Sequence, residues 1–151
     1  MTTAPPTVSP VVSAARFWVR CDTWATGLGF SKLAGFTTEV EFQEYSYTNR
    51  NSNVHTKQFG RPLPPSVTLE RGLDAPGYKK FFDWHTQARK NDPQAKLPAL
   101  FTIMSASGHP ALSCVLENAW CSKLDIDPAE AGGSAVVRMR VTIVCDGIHL
   151  S

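Results

Sequence analysis

Long hydrophobic runs are missing from this sequence, and charged residues are few. No apolar stretch approaches the roughly 20 residues of a membrane helix, so we expect no membrane anchor. Charged residues make up 19% of the chain, below the roughly 25% that is usual in soluble domains. Because 42% of the residues are hydrophobic, the chain can build a core and still leave much neutral surface. This balance favours association with other copies of itself.

The first ten residues lack the cationic start and the apolar centre of a signal peptide. We therefore expect the chain to be made and folded in the cytoplasm. The net charge is only +2, and the 15 Lys and Arg residues are scattered. This pattern contains no phosphate-binding footprint and argues against nucleic acid as a general partner.

The four cysteines are Cys21, Cys114, Cys121 and Cys145. None of them forms the tight C-x-x-C spacing of redox or metal motifs. Cys114 and Cys145 fall at apolar positions of predicted strands, where a free thiol acts as a small hydrophobic group. We expect buried thiols, with two disulfides as the alternative.

Catalytic and metal-binding signatures are also absent from the sequence. The four histidines are far apart, and neither H-E-x-x-H nor G-x-S-x-G occurs. His85 lies on the apolar side of a predicted helix, where a structural role is expected. Asp125 and Asp127 offer two carboxylates to a cation, but a solvated loop before Pro128 is the more ordinary interpretation. We expect no enzyme activity, no cofactor and no metal.

A long hairpin, Thr37 to Arg71, is the most distinctive predicted element. Its first strand alternates, with Val40 and Phe42 on one side in a half-buried pattern. The alternation slips by one after Glu44, which predicts a bulge or a strong local twist there. Residues 48–65 are polar and rich in Pro, Gly and Asn, which predicts a long loop at a projecting tip.

The remaining elements are one helix and several strands. Asp74 and Pro76 predict a helix start, and a stripe at helical spacing follows, ending before Pro93: Tyr78, Phe81, Phe82, Trp84, His85 and Ala88. Strands are predicted near residues 17–21, 97–104, 112–118 and 134–145. The last of these alternates Ala135, Val137, Met139, Val141, Ile143 and Cys145 with a face that includes Arg138, Arg140 and Thr142. We expect residues 1–15 to form a flexible arm and residues 16–151 a single domain of about six or seven antiparallel strands.

The order of short motifs resembles the contractile phage tail tube family and its relatives in extracellular contractile injection systems. The resemblance runs from Phe17 to about Ile148. Its motifs are Phe17-Trp18-Val19, the Gly35-Phe36 turn, Glu41-Phe42-Gln43-Glu44-Tyr45, Val67 to Gly72, Phe82-Asp83-Trp84, Leu116 to Leu124, and Val141 to Val144. The turn after Tyr45 departs from the family, because Tyr47-Thr48-Asn49-Arg50-Asn51 replaces a glycine-rich segment.

The resemblance implies a small antiparallel β-barrel with one flanking helix and the projecting hairpin, as in the type VI secretion tube protein. It further implies that six copies form a ring and that rings stack into a hollow tube. Strands would line the lumen, which conducts cargo, and the hairpin would bridge subunits and rings. A contracting sheath would surround the tube, with baseplate and terminator or cap proteins at its ends. Nucleic acid becomes a partner only in a true phage.

Two groups of residues are candidates for these contacts. The hairpin positions expected between subunits or rings are Glu41, Tyr45, Tyr47, Asn49, Arg50, Asn51, Asn53, His55, Lys57 and Phe59. The expected lumen-facing positions are Arg138, Arg140 and Thr142, with an outer solvent face as the alternative. Deletion of residues 49–59 should leave a folded subunit that fails to stack.

Three other functions remain open at this point. A tube-initiating ring at the baseplate shares the motifs and differs in copy number. A monomeric β-barrel binding module, for carbohydrate for example, would expose aromatic residues in a cleft. A secreted enzyme is disfavoured by the missing signal and site. The sequence leaves undecided whether the machine is a phage or an injection device, and which cargo and target it serves.

Overall fold

The fold is mainly antiparallel β, as the sequence predicts, with one flanking α-helix. The computed structural model describes residues 14–49 and 52–150. The strands are β1 (Ala14–Cys21), β2 (Leu28–Phe30), β3 (Lys32–Asn49), β4 (Ser52–Gly72), β5 (Leu97–Ser105), β6 (Pro110–Ile126), β7 (Arg138–Val144) and β8 (Gly147–Leu150). The helix α1 spans Ala75–Arg89, and a short 3₁₀ helix spans Pro93–Ala95. Residues 1–13 of the predicted arm lie outside the described residues.

All strands belong to one sheet in the order β2-β1-β5-β6-β7-β4-β3, and β8 pairs with β6. Every ladder is antiparallel. Strand β6 joins the two halves of the sheet, because it pairs with β5 up to Ala119 and with β7 from Trp120 onward. Just before this change of partner, Asn118 has a φ of 50°, a backbone conformation that Asn tolerates better than most residues. The short strands β2 and β8 were not predicted.

The two ends of the strand order approach each other at Ser31. Strands β2 and β3 stand at opposite ends of the order, yet Ser31 is the single residue between them. The Ser31 amide donates to the Glu70 carbonyl oxygen of β4 at 3.1 Å. Among the described ladders none joins β1 or β2 to β3, so the sheet curls round and its ends are connected through this residue.

Helix α1 begins as its sequence predicts, and its apolar stripe packs on the core except for Phe82, which is 46% exposed. Asp74 caps it by accepting from the Gly77 amide at 3.3 Å. Phe81 and Trp84 are buried in the core, where both rings make edge contacts with Trp24. The Trp84 indole N–H donates to the Ala95 carbonyl oxygen at 2.7 Å and so ties α1 to the 3₁₀ helix.

The core lies between the curled sheet and α1. Its largest fully buried side chains include Phe81, Phe101, Leu69, Leu116, Met139, Ile143, Val19, Val67 and Val141. All four cysteines are free and buried, which confirms the prediction of buried thiols. His85 is structural, because its Nδ1 lies 2.8 Å from the Cys121 carbonyl oxygen. Two details of the predicted strands are wrong: Leu112 is 39% exposed, and β7 begins at Arg138, so Ala135 precedes it.

The prediction of a long loop over residues 48–65 is wrong. Strand β3 continues to Asn49, and β4 begins at Ser52 and includes Pro62, Pro64 and Pro65. Only residues 66–72 of β4 pair with β7, so the earlier part of β4 is an edge of the sheet. Proline is tolerated there because an edge strand does not need every N–H for a ladder.

The predicted bulge after Glu44 is also wrong. The ladder runs without a shift from the pair of Phe42 and Phe59 to the pair of Asn49 and Ser52. The register shifts instead between Leu33 and Gly35, between Thr37 and Glu39, and between Val40 and Phe42. The last two shifts coincide with the Pro and Gly residues of β4, whose missing donors and flexible backbone favour bulges.

Candidate assembly interface

The outer half of the hairpin projects beyond the core. The side chains from Thr37 to Glu44 are exposed, as are those from Lys57 to Phe59. Val40, Phe42 and Phe59 are 51%, 63% and 99% exposed, and Phe42 faces Phe59 across the ladder. We call these three residues the hairpin apolar patch. The expectation that Val40 and Phe42 form the buried side of a half-buried strand is wrong, because more than half of each side chain is exposed.

Such a patch is unusual on a protein that works alone, since an aromatic ring left in water forgoes the free energy of burial. The only cover described for Phe42 is the Lys57 ammonium, which lies 5.1 Å from the ring centre. Of the other predicted contact residues, Glu41 forms an ion pair with Arg61 at 3.7 Å. Tyr45, Tyr47 and Asn49 lie on β3, and Asn53 and His55 lie on β4. Arg50 and Asn51 lie outside the described residues.

The second candidate surface is a row of charged side chains across four neighbouring strands. Lys32, Glu70, Arg140 and Asp125 are consecutive cross-strand partners on β3, β4, β7 and β6. We call them the charged row. Arg140 Nη2 lies 2.9 Å from Glu70 Oε1, and Lys32 Nζ lies 3.2 Å from Glu70 Oε2. The charges therefore alternate along the row. Glu70 is paired with Arg140 and Lys32, whereas Asp125 forms its ion pair with Lys123 at 3.4 Å.

Glu70 is the centre of this row, and only 3% of the residue is exposed. The Arg140 guanidinium and then the Lys32 ammonium hold the pKa of the Glu70 carboxyl below its ordinary value, despite the opposing effect of burial. The same contact raises the pKa of Arg140. Glu70 and Arg140 are therefore both charged at neutral pH.

The structure brings the three predicted lumen residues together on this face. Arg138, Arg140 and Thr142 alternate along β7 with the buried residues Met139, Val141 and Ile143. The Thr142 hydroxyl lies 3.3 Å from the Thr68 hydroxyl, and Arg138 donates to the Ser31 hydroxyl at 3.5 Å. The sequence did not reveal that Lys32, Glu70 and Asp125 share this face, because the alternation within one strand does not tell which residues face each other across strands. Asp125 was considered only as a possible cation ligand.

The four strands that carry the charged row end in two unpaired edges. At one side the Trp120–Ile126 half of β6 pairs with β7 alone. At the other side β3 pairs with β4 alone. Both statements apply to the ladders of the described residues. Unpaired edges of this length invite pairing with another chain.

Within residues 14–49 and 52–150, no three His, Cys, Asp or Glu side chains cluster as a metal site would require. In the same residues, no helix combines the length and hydrophobicity needed to cross a membrane.

Burial raises the pKa of the Cys21 and Cys121 thiols to about 12. These thiols are therefore poor nucleophiles and poor metal ligands at neutral pH.

A curled antiparallel sheet with two open edges, a charged face opposite the core and a projecting apolar ribbon is typical of a structural protein whose strand edges pair with other chains. The sequence profile described as T4-like virus tail tube protein gp19 matches residues 13–149. The chain therefore belongs to this tail tube family, and the resemblance drawn from its motifs is confirmed.

Solved structures share the fold over nearly the whole chain. A chain of the PVC sheath-tube complex, an extracellular contractile injection system in the extended state, has a TM-score of 0.70 and 16% identity, over 95% of this chain and 93% of that chain. A chain of the 6-fold symmetrised anti-feeding prophage baseplate has a TM-score of 0.71 and 13% identity, over 96% and 97%. A type six secretion system protein has a TM-score of 0.56 and 12% identity, over 91% and 83%. No match is found among curated protein sequences.

Proposed function

We propose that six copies of this tail tube protein form a ring and that the rings stack into the inner tube of a contractile injection system or phage tail. The role is structural, without a catalytic site. The observation that carries the ring is the pair of unpaired strand edges, β3 on one side of the charged row and the Trp120–Ile126 half of β6 on the other.

These edges are matched in direction. Neighbouring strands alternate in direction from β6 through β7 and β4 to β3, so β3 of one copy is antiparallel to β6 of the next. A contact between two different edges is head-to-tail, and repeated rotation by the same angle closes it into a ring. Closure removes the unpaired edges, which would otherwise promote aggregation.

The charged row is proposed to face the lumen, together with Arg138 and Thr142. Support comes from the alternation of β7, whose opposite side is buried in the core of the same subunit. Because Glu70 is paired with Lys32 and Arg140, and Asp125 with Lys123, the wall has no strong field of one sign along this row. Such a wall lets cargo slide without being held.

The outer hairpin is proposed to bridge subunits and rings through the positions Glu41, Tyr45, Tyr47, Asn49, Arg50, Asn51, Asn53, His55, Lys57 and Phe59. Support comes from the exposed hairpin apolar patch. A sheath around the tube, with baseplate and cap proteins at its ends, is proposed by analogy with the structural neighbours, which come from a sheath-tube complex, a baseplate and a tube-terminating cap. We propose that the subunit is made in the bacterial cytoplasm and joins a phage-tail-like particle.

Electron microscopy of the purified protein tests the assembly directly. Six-fold rings or hollow filaments are expected, whereas a monomer at all concentrations would overturn the proposal.

The lumen is tested with Arg140→Cys in assembled tubes, because the native thiols are buried and give little background. A bulky external thiol reagent should label Val136→Cys, whose parent residue is 75% exposed before β7, and should leave Arg140→Cys unlabelled. Equal labelling would place the charged row outside.

A single ring next to the baseplate is the second candidate. The observation in its favour is the fold shared with a chain of the anti-feeding prophage baseplate. Copy number separates the two functions. Quantitative mass spectrometry of intact particles should find many copies for each baseplate if the chain builds the tube, and one ring if it initiates it.

A further inference from the structure

A hollow opens beside the unpaired edge of β6, at the end of α1. We call it the Trp120 hollow, and its wall is formed by Ala88, Asn91, Asp92, Pro93, Ala95, Lys96 and Trp120. It measures about 300 Å³. An apolar cavity of about half that volume binds benzene, so the hollow is large enough to receive a phenyl ring.

We propose that the Trp120 hollow receives the hairpin apolar patch of the neighbouring copy in the same ring. This inference rests on the proposed function, since it needs β3 of one copy to pair with β6 of the next. It adds the site at which the hairpin is held.

The strand directions place the hairpin of the neighbouring copy next to the Trp120 hollow. In the ring, β3 of the neighbour runs antiparallel to β6. The neighbour's Lys32 therefore lies near the Ile126 end of the free edge, and its β3 then runs along that edge toward Trp120. Trp120 begins the free edge and also forms part of the hollow. The hairpin apolar patch, which lies beyond the core, is therefore carried past Trp120.

The side on which the patch lies agrees with this docking. Val40 and Phe42 lie on the same side of β3 as Phe36, by the two-residue alternation of a strand. Phe36 packs on the core of its own subunit. Where the hairpin reaches over the neighbouring copy, the side that carries Val40 and Phe42 faces the neighbour's α1. It points away from the charged row.

Charge complements shape at this contact. Between Leu33 and Glu44, β3 carries Glu39, Glu41 and Glu44 and no Lys or Arg. The hollow itself is lined by one cation, Lys96, and one anion, Asp92. The exposed residues Arg89 and Lys90 follow the lining residue Ala88 directly in the chain. The cations of the hairpin, Lys57 and Arg61, lie on β4, the strand farther from the paired edge. Attraction between the acidic residues of β3 and the cations Arg89, Lys90 and Lys96 near the hollow helps to steer the hairpin toward it.

Cross-linking tests the contact in the assembled protein. The double variant Phe59→Cys with Lys96→Cys is oxidised with copper phenanthroline and separated without reductant. We expect a ladder of covalent multimers, because each link joins two different copies. The matched control, Phe59→Cys with Lys79→Cys, moves the second thiol to an exposed lysine position at the other end of α1 and should remain monomeric.

The outcomes separate this inference from the proposed function. Tubes that form normally but give no ladder, or give an equal ladder with the Lys79 control, overturn the docking site alone. A wild-type chain that never assembles overturns both.

As an independent measurement, Phe59→Ser should raise the concentration needed for assembly about tenfold or more, as expected for a central aromatic anchor, with unchanged unfolding of the subunit. An unchanged assembly concentration would also overturn the docking site.

Discussion

The Glu70 carboxylate accepts two hydrogen bonds from the Arg140 guanidinium, at 2.9 Å from Nη2 and 3.3 Å from Nε. The pair joins β4 to β7 on the face opposite the core, and the Lys32 ammonium approaches the second carboxylate oxygen from β3. Because the carboxylate itself is almost completely buried, its charge depends on these two cations. The contact therefore links the stability of the subunit to the proposed wall of the lumen.

Glu70→Gln should lower the free energy of unfolding by about 1–2 kcal/mol at pH 7, because charge-assisted hydrogen bonds are lost while the exposed cations are partly screened. The pKa of Glu70 is lowered in the folded state. The contribution of its charge to the free energy of unfolding is therefore complete above the unfolded pKa of about 4.3. This contribution is lost as the pH falls through the folded pKa. Urea unfolding of the native protein and of Glu70→Gln at pH 7 and pH 3 measures this contribution. The difference between their free energies of unfolding should be smaller at pH 3. A gap that is the same at both pH values would contradict the assignment.

Trp84→Phe should destabilise the subunit by about 1–3 kcal/mol, since the buried Ala95 carbonyl oxygen loses its only described donor. Denaturant unfolding gives the value. The control is Phe82→Leu on the same helix, whose parent side chain is 46% exposed and which should change stability by no more than about 0.5 kcal/mol. If the two variants were equally stable, the Trp84 hydrogen bond would have no structural role.

Asp74→Ala should cost about 1 kcal/mol, because the side chain caps α1 at Gly77 and also contacts Arg71 at 2.8 Å. Asp74→Asn keeps the capping oxygen and loses the negative charge. Thermal unfolding should place Asn between the native Asp and Ala. An Asn variant as unstable as Ala would assign the effect to the ion pair and not to the cap.

The native thiols should resist alkylation. Burial raises the pKa of Cys21 and Cys121 to about 12 and that of Cys145 to about 11, whereas an ordinary thiol has a pKa of about 8.5. Iodoacetamide at pH 8, followed by mass spectrometry, should modify the folded protein slowly and the denatured protein at all four cysteines. Rapid modification of the folded chain would show that the core opens readily.

The same pKa shifts predict a loss of stability in alkali. The unfolded thiols ionise above a pH of about 8.5 while the folded ones stay protonated, so their contribution to stability is intact below that pH and is lost between there and about 12. Urea unfolding at pH 7 and pH 10 should show this decrease. Cys121→Ala should reduce it, and an equal decrease in that variant would assign the effect to other groups.

Much of this protein is determined by local sequence. The capping Asp74, the Pro at the helix start and the apolar spacing from Tyr78 to Ala88 define α1, because helix signals act within a few turns. The two-residue alternation of β7 separates Arg138, Arg140 and Thr142 from the core in the same way. The order of motifs was enough to indicate the tail tube family.

Tertiary structure alone decided the partners of these residues. The Pro-rich segment before Ser66 becomes a strand because it has β3 to pair with and an open edge on its other side, which no local pattern reveals. Val40 and Phe42 alternate as core residues do, yet they are exposed because the hairpin extends past the subunit. Glu70 meets Lys32 and Arg140 only through the register of three strands that are distant in sequence. Register is a property of the paired strands together, and a single strand does not contain it.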